Sequence, residues 1–75
     1  MNMKEMGLRI KLTRKERNVT AEKLAEMVGV SVQTISNIEN GRKGVSLKVF
    51  FNICKSLKIS SDYLLFGKLI ELIDR

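Results

Sequence analysis

A single glycine between two short amphipathic segments is the feature that most limits how this chain can fold. Gly29 follows the first segment, and the small residue Ala25 stands four positions before it. Two short helices joined by a turn of three or four residues cross at a steep angle. Such a crossing requires a small residue where the backbones approach and a residue that tolerates left-handed backbone geometry. The spacing therefore predicts a pair of crossed helices, with Val30, Ile35 and Ile38 as apolar anchors for the second helix.

The rest of the chain predicts three further helices. Proline is absent, alternation of β-branched residues is scarce, and 75 residues suffice for one small domain. The fold class is therefore all-α, a compact five-helix domain over residues 1–67 with a short C-terminal helical extension over 68–75. The predicted helices cover about 3–17, 21–28, 32–39, 47–57 and 61–66. Predicted core-facing positions are Met3, Met6, Ile10, Thr13, Arg14, Arg17, Leu24, Ala25, Val28, Leu47, Phe50, Ile53, Cys54 and Leu57.

The charge balance indicates a polyanionic partner. Lys and Arg number 14 against 8 Asp and Glu, which gives a formal net charge of +6. This favours nucleic acid or an acidic membrane surface. One cysteine and no histidine argue against an internal disulfide and a structural zinc site. Because no apolar run reaches the ~18 residues of a membrane span, we expect a cytoplasmic protein without membrane association, metal, cofactor or evident small-molecule ligand.

The segment 31–43, SVQTISNIENGRK, reads as a helix with an unusual polar face. Its apolar residues are Val32, Ile35 and Ile38, and the others are mainly Ser, Thr, Gln and Asn rather than Glu and Lys. Amide and hydroxyl groups both donate and accept hydrogen bonds, so they can pair with base edges without carrying a net charge. An ordinary solvated polar face is the alternative interpretation.

The stretch TAEKLAEMVGVSVQTISNIENGRK resembles the helix-turn-helix of the Xre/Cro, or phage-repressor-like, DNA-binding proteins. The resemblance extends from Met6 to Gly67 and includes SLKVFFNICKSLKISSDYLL. It implies a lambda-repressor-like domain whose third helix enters the major groove of double-stranded DNA. The implied base-reading residues are Val32, Gln33, Thr34, Ser36 and Asn37. Phosphate contacts are expected to flank them, at Ser31, Asn40, Arg42, Lys43 and Ser46.

The resemblance also implies an ion pair between Arg14 and Glu39. Three positions depart from the family pattern, and one of them is Thr13, which stands where an apolar residue usually precedes Arg14. Ala21 stands where a phosphate-contacting glutamine usually begins the second helix, and Val45 stands where a proline usually precedes the fourth. These departures leave the fold unaffected but alter the expected phosphate contacts.

Exposed apolar residues suggest a second subunit. Leu8 and Leu12 lie opposite the predicted core face of the first helix, and the tail is apolar. We expect a homodimer, with intramolecular packing of the tail as the alternative. Its predicted interface comprises Tyr63, Phe66, Leu69, Ile70 and Ile73.

The sequence thus predicts a DNA-binding transcriptional regulator, most simply a repressor on an inverted-repeat operator. The alternative is a protein-interaction module, for example antitoxin-like, that keeps the fold with weak or non-specific DNA binding. Residues 40–61 contain five cations and no acid, which fits DNA better than a typical protein partner. No catalytic constellation is present in the sequence, so we do not expect an enzyme.

Overall fold

A computed structural model describes residues 2–67 as five α-helices. They are α1 (Met3–Glu16), α2 (Ala21–Val28), α3 (Val32–Glu39), α4 (Leu47–Leu57) and α5 (Ser61–Phe66). The described residues contain no strand, and the predicted fold class is confirmed. The predicted extension over 68–75 lies outside the described residues, so the division at residue 67 stays a prediction. No helix within residues 2–67 has the length and apolar character needed to cross a bilayer.

Polar caps explain where four of the helices begin. In each case the N-cap hydroxyl accepts a hydrogen bond of 3.0–3.2 Å from the backbone N–H three residues later. The four N-caps are Thr20, Ser31, Ser46 and Ser60. At the end of α2, Gly29 adopts a left-handed φ of 78°, and its N–H donates to the Ala25 carbonyl at 2.9 Å. These local signals fix the turn between α2 and α3 as the sequence predicts.

The core is one cluster with side chains from all five helices. Burying a side chain the size of leucine, isoleucine or methionine stabilises the fold by about 1.5–3 kcal/mol before conformational entropy is counted. The largest fully buried side chains are Met6, Ile10, Leu24, Ile35, Ile38, Ile53, Leu57 and Leu64.

Three predicted core positions are wrong. Leu47 is 70% exposed because the first turn of α4 faces an open cleft, shared with Val45, Phe51 and Leu65, rather than the centre of the core. Met3 and Arg17 are also exposed. Met3 is the first residue of α1 and Arg17 is its C-cap, so both lie at the helix ends and away from the central core.

Two arginines, one in α1 and one at its C-cap, contact the ends of α5 and α4. Arg9 donates from Nε and Nη2 to the carbonyls of Leu64 and Leu65, at 3.0 and 3.1 Å, near the end of α5. Arg17 donates from Nε to the Leu57 carbonyl at 2.7 Å, at the end of α4. The last carbonyls of a helix have no partner within the helix and carry partial negative charge, so a guanidinium there is stabilising. Two of the arginines that raise the net charge therefore hold helices together.

Glycine in the middle of α1 permits close contact with α3. A Cβ atom built on Gly7 contacts the carbonyl oxygen of Ile38 and lies 2.7 Å from that of Glu39. Only a residue without a side chain allows the two backbones to approach this closely. The C-terminal end of α3 is thereby held against α1.

Candidate nucleic-acid interface

Helix α3 buries one face and exposes the other. Its buried residues are Ile35, Ile38 and Glu39. Val32 is 42% exposed and Gln33 is also exposed, whereas Thr34, Ser36 and Asn37 are half-buried. The five predicted base-reading residues therefore lie together on one helix, outside its core contacts.

Thr34 faces differently from the other four. Its hydroxyl lies 2.9 Å from that of Ser31, and its side chain lines a shallow cleft between α3 and α4 with Ile38 and Val49. Thr34 therefore lies at the edge of the outward face, next to α4.

Hydrogen bonds connect the outward side chains of α3 to each other. Gln33 Nε2 donates to Asn37 Oδ1 at 3.2 Å, and Arg42 Nη1 donates to the same oxygen at 3.0 Å. Asn40 Nδ2 lies 3.4 Å from Ser36 Oγ and donates to it. The outward face is thus a set of amides and hydroxyls with one guanidinium attached.

A glycine turn at the end of α3 brings the basic loop next to this face. Gly41 has a left-handed φ of 73°. Its N–H donates to the Ile38 carbonyl at 3.1 Å, and the Arg42 N–H donates to the Asn37 carbonyl at 2.9 Å. These two bonds form a Schellman motif, the paired helix-end arrangement that a left-handed residue permits. The chain therefore reverses at Gly41 and places Arg42 beside Asn37.

The two loop cations diverge. Arg42 returns to α3, whereas Lys43 lines the cleft between α3 and α4 with Ser46. Ser46 is the N-cap of α4, whose first N–H groups carry the partial positive charge of a helix N-terminus. Lys43 and the start of α4 therefore make a second cationic region, next to the polar face.

The acid of α3 is neutralised inside the domain. Arg14 donates to Glu39 from Nε at 2.7 Å and from Nη2 at 3.1 Å, and from Nη1 to the Val19 carbonyl at 2.9 Å. Both partners are 8% exposed. The hydrogen bond to Glu39 raises the pKa of Arg14. This bidentate pair joins α1 to α3 and leaves the outward face of α3 without a negative charge.

The predicted dimer residues are only partly described. Phe66 is 59% exposed, and Tyr63 is half-buried in a groove with Thr13 and Arg17. The other three, Leu69, Ile70 and Ile73, lie outside the described residues.

No metal or redox centre emerges from the described part of the chain. Residues 2–67 hold no group of three or more His, Cys, Asp or Glu side chains placed to bind a metal ion. Cys54 is buried among core residues, and burial raises the pKa of its thiol. A protonated, enclosed thiol is a weak nucleophile, so Cys54 acts as a packing residue.

Sequence reasoning missed the contacts of Arg9 and Arg17 and the link from Asn37 to Arg42. Arg9 and Leu64, whose carbonyl accepts its hydrogen bond, are 55 positions apart in the sequence. No local pattern therefore indicates this contact. Gly41, however, is a signal that the chain turns back after α3, and it could have placed Arg42 near Asn37.

A small residue and a left-handed glycine at a helix crossing, with a polar second helix beside a basic loop, define a helix-turn-helix DNA-binding domain. The helix-turn-helix family model HTH_3 matches residues 10–64, and the chain belongs to this family of DNA-binding regulators. The predicted resemblance to phage-repressor-like proteins is confirmed.

Three relatives illustrate the range of the family. The c2 repressor of Salmonella phage P22, solved in complex with a synthetic operator, superposes with a TM-score of 0.80 at 36% identity, over 84% of this chain and 96% of that one. An uncharacterized HTH-type transcriptional regulator of Methanocaldococcus jannaschii is 47% identical over 50 residues, 67% of this chain and 76% of that protein. Antitoxin HipB of Escherichia coli O6:H1 is 41% identical over 51 residues, 68% of this chain and 54% of the antitoxin. The chain thus spans little more than half the length of HipB.

Proposed function

We propose that the protein is a sequence-specific transcriptional repressor that places α3 in the major groove of double-stranded DNA. The observation that carries the proposal is the outward face of α3, where uncharged hydrogen-bonding groups stand beside a cationic loop. The P22 c2 repressor, of similar fold and bound to an operator, supports the same placement. A helix of this kind lies in the groove while the helix before it crosses the phosphate backbone.

The base-reading roles follow from side-chain chemistry. Gln33, exposed near the start of α3, can form a bidentate pair with adenine, and the methyl groups of Val32 can contact thymine. The hydroxyls of Ser36 and Thr34 can serve either kind of base, with Thr34 restricted to the edge of the interface by its bond to Ser31.

Phosphate contacts belong to the region around Lys43. Lys43 and Ser46, the N-cap of α4, line the same cleft, and a helix N-terminus favours anions. Ser31 and Asn40, at the two ends of α3, and Ser46, at the N-cap of α4, complete the set. Because Ala21 offers no polar side chain at the start of α2, these contacts carry more of the positioning of the domain on DNA.

A two-fold homodimer on an inverted repeat completes the proposal. Helix-turn-helix dimers bind half-sites whose centres are about 34 Å apart. Phe66 stands exposed at the end of α5, and together with Tyr63 and the tail residues Leu69, Ile70 and Ile73 it forms the proposed interface. In this proposal residues 68–75 extend the DNA-binding domain as a dimerisation element.

Selection of bound duplexes from a random pool at physiological salt tests the proposed function. We expect an enriched inverted repeat with half-site centres about one helical turn apart. Binding without enrichment contradicts a base-reading role for α3. An enriched single half-site, together with a sedimentation mass of one chain at high micromolar concentration, contradicts the dimer.

A protein-interaction module is the second candidate. The 41% identity to antitoxin HipB and the exposed apolar side chains of Leu8, Leu12 and Met27 favour it. A module of this kind would bind random and selected DNA with similar affinity, so the same selection experiment distinguishes the two functions.

Replacing Gln33 with alanine should weaken binding to the selected site by about 1–3 kcal/mol and relax the preference at one base pair, because a bidentate base contact is removed. Affinity for random DNA should hardly change, because no charge is lost. Fluorescence anisotropy with selected and random duplexes measures both effects. An equal loss on the two duplexes would show that Gln33 does not read a base.

Replacing Lys43 with alanine is the matched control, and its expected behaviour is the opposite. Removal of one phosphate contact should weaken all sequences about equally and reduce the slope of log K against log salt by roughly 1. The selected motif should be unchanged. A change of base preference in this variant would show that Lys43 reads a base and does not act through a phosphate contact alone.

A further inference from the structure

The guanidinium of Arg42 lies on the outward face of α3 rather than in the cleft between α3 and α4. The Schellman turn fixes the backbone of Arg42 to the Asn37 carbonyl at 2.9 Å. Its side chain then continues in the same direction and donates to Asn37 Oδ1 at 3.0 Å. Lys43, the next residue, lines the α3–α4 cleft instead. Two adjacent cations therefore face different parts of the interface.

Asn37 has the geometry of a positioning residue. Its Oδ1 accepts from both Gln33 and Arg42, at 3.2 and 3.0 Å, and a carbonyl oxygen has two lone pairs to offer. The oxygen is thus fully used inside the protein. Asn37 keeps its amide hydrogens but lacks a free acceptor, and the bidentate pairing with adenine requires both.

Arg42 retains the chemistry of a base reader. A guanidinium has five N–H donors in a planar fork, and one of them is directed to Asn37. The fork matches the O6 and N7 acceptors of guanine, the commonest specific contact in the major groove. Within residues 2–67 no carboxylate pairs with Arg42, so its bond to Asn37 places the guanidinium beside the polar face before DNA arrives.

We propose that Arg42 reads a guanine and that Asn37 orients Arg42 and Gln33 as one recognition unit. The proposal rests on the proposed function, and it replaces a phosphate role for Arg42 and a direct reading role for Asn37. Both bonded nitrogens lie within 3.2 Å of one oxygen, and stacked base pairs are spaced by about 3.4 Å. The guanine read by Arg42 therefore lies within about two base-pair steps of the base read by Gln33.

Duplex selection with the wild type and four single variants tests this assignment. The wild-type motif should contain a guanine near the position whose preference is lost in Gln33→Ala. Arg42→Ala should reduce discrimination at that guanine by about 10- to 100-fold. Lys43→Ala removes the same charge from the next residue and should keep the preference. Asn37→Ala should reduce discrimination at both positions, although Asn37 contacts no base.

The outcomes separate the inference from the function on which it rests. A wild-type motif whose guanine preference survives Arg42→Ala would overturn the assignment and leave the repressor proposal intact. The absence of any wild-type motif would overturn both. If Asn37→Ala lowers the melting temperature but leaves the motif unchanged, the bonds to Asn37 stabilise the helix end only, and the recognition unit is refuted.

Discussion

Replacing Arg14 with alanine should lower the free energy of unfolding by about 3–5 kcal/mol. The variant leaves the Glu39 carboxylate buried without its two charge-assisted hydrogen bonds, and loss of one partner of a buried pair has an effect of this size. It also removes the donor to the Val19 carbonyl, which fixes the chain after α1. Urea unfolding followed by circular dichroism measures the change, and the affinity of the remaining folded protein for DNA should change less.

Lys15→Ala is the matched control, since it removes an exposed cation from the next position of α1. It should change the unfolding free energy by less than about 1 kcal/mol. Because the pKa of Arg14 is raised in the fold, its contribution is fully present below the unfolded-state pKa and is lost as the pH rises through the folded-state pKa, in strong alkali. Wild-type stability in Arg14→Ala at neutral pH would show that the pair does not stabilise the domain.

Replacing Gly7 with alanine should lower the unfolding free energy by about 3 kcal/mol or more, the upper end for overpacked sites. The new methyl group meets the backbone carbonyls of Ile38 and Glu39, and backbone atoms cannot rotate away as a side chain can. Helix α1 must therefore separate from α3. Helix propensity alone predicts the opposite sign, a gain of about 0.5–1 kcal/mol, so the direction of the change decides between the two effects.

Gly44→Ala serves as the control for Gly7→Ala. Among residues 2–67, a Cβ atom at Gly44 comes within 4 Å of the Met3 sulfur alone, at 3.5 Å, which is ordinary contact. The melting temperature should remain close to that of the wild type, whereas Gly7→Ala should lower it by about 4–8 °C for each kcal/mol lost. Similar melting temperatures for the two glycine variants would contradict the close contact between α1 and α3.

The helices were predictable because their signals are local. Hydroxyl caps and Gly29 stand at helix ends, and the apolar spacing of α2 and α4 gives the buried face directly. The errors have a different origin. Leu47 follows the apolar pattern of α4, but its exposure depends on how far α1 and α5 extend over the first turn. Gly7 reads locally as a weak point in a helix, and only the position of α3 explains it.

The candidate site was predictable in composition but not in connectivity. The sequence alone indicates that the amides and hydroxyls of α3 have a binding role, because an ordinary solvent-facing helix would carry more charged residues. The shared acceptor on Asn37 depends on the turn at Gly41 and on rotamers that spacing does not specify. For the same reason, the sequence predicts the same phosphate-binding role for Arg42 and Lys43. In the fold, their side chains face different surfaces.

Helix α3 contributes only three of its eight residues to the buried core. The other five are exposed or half-buried, and their replacement should lower the stability of the domain less than replacement of the three buried residues. If these positions read DNA as proposed, descendants of one ancestor can acquire different targets without first acquiring extra stability. Exchanging these five side chains would then change the DNA target of the regulator and leave its fold unchanged.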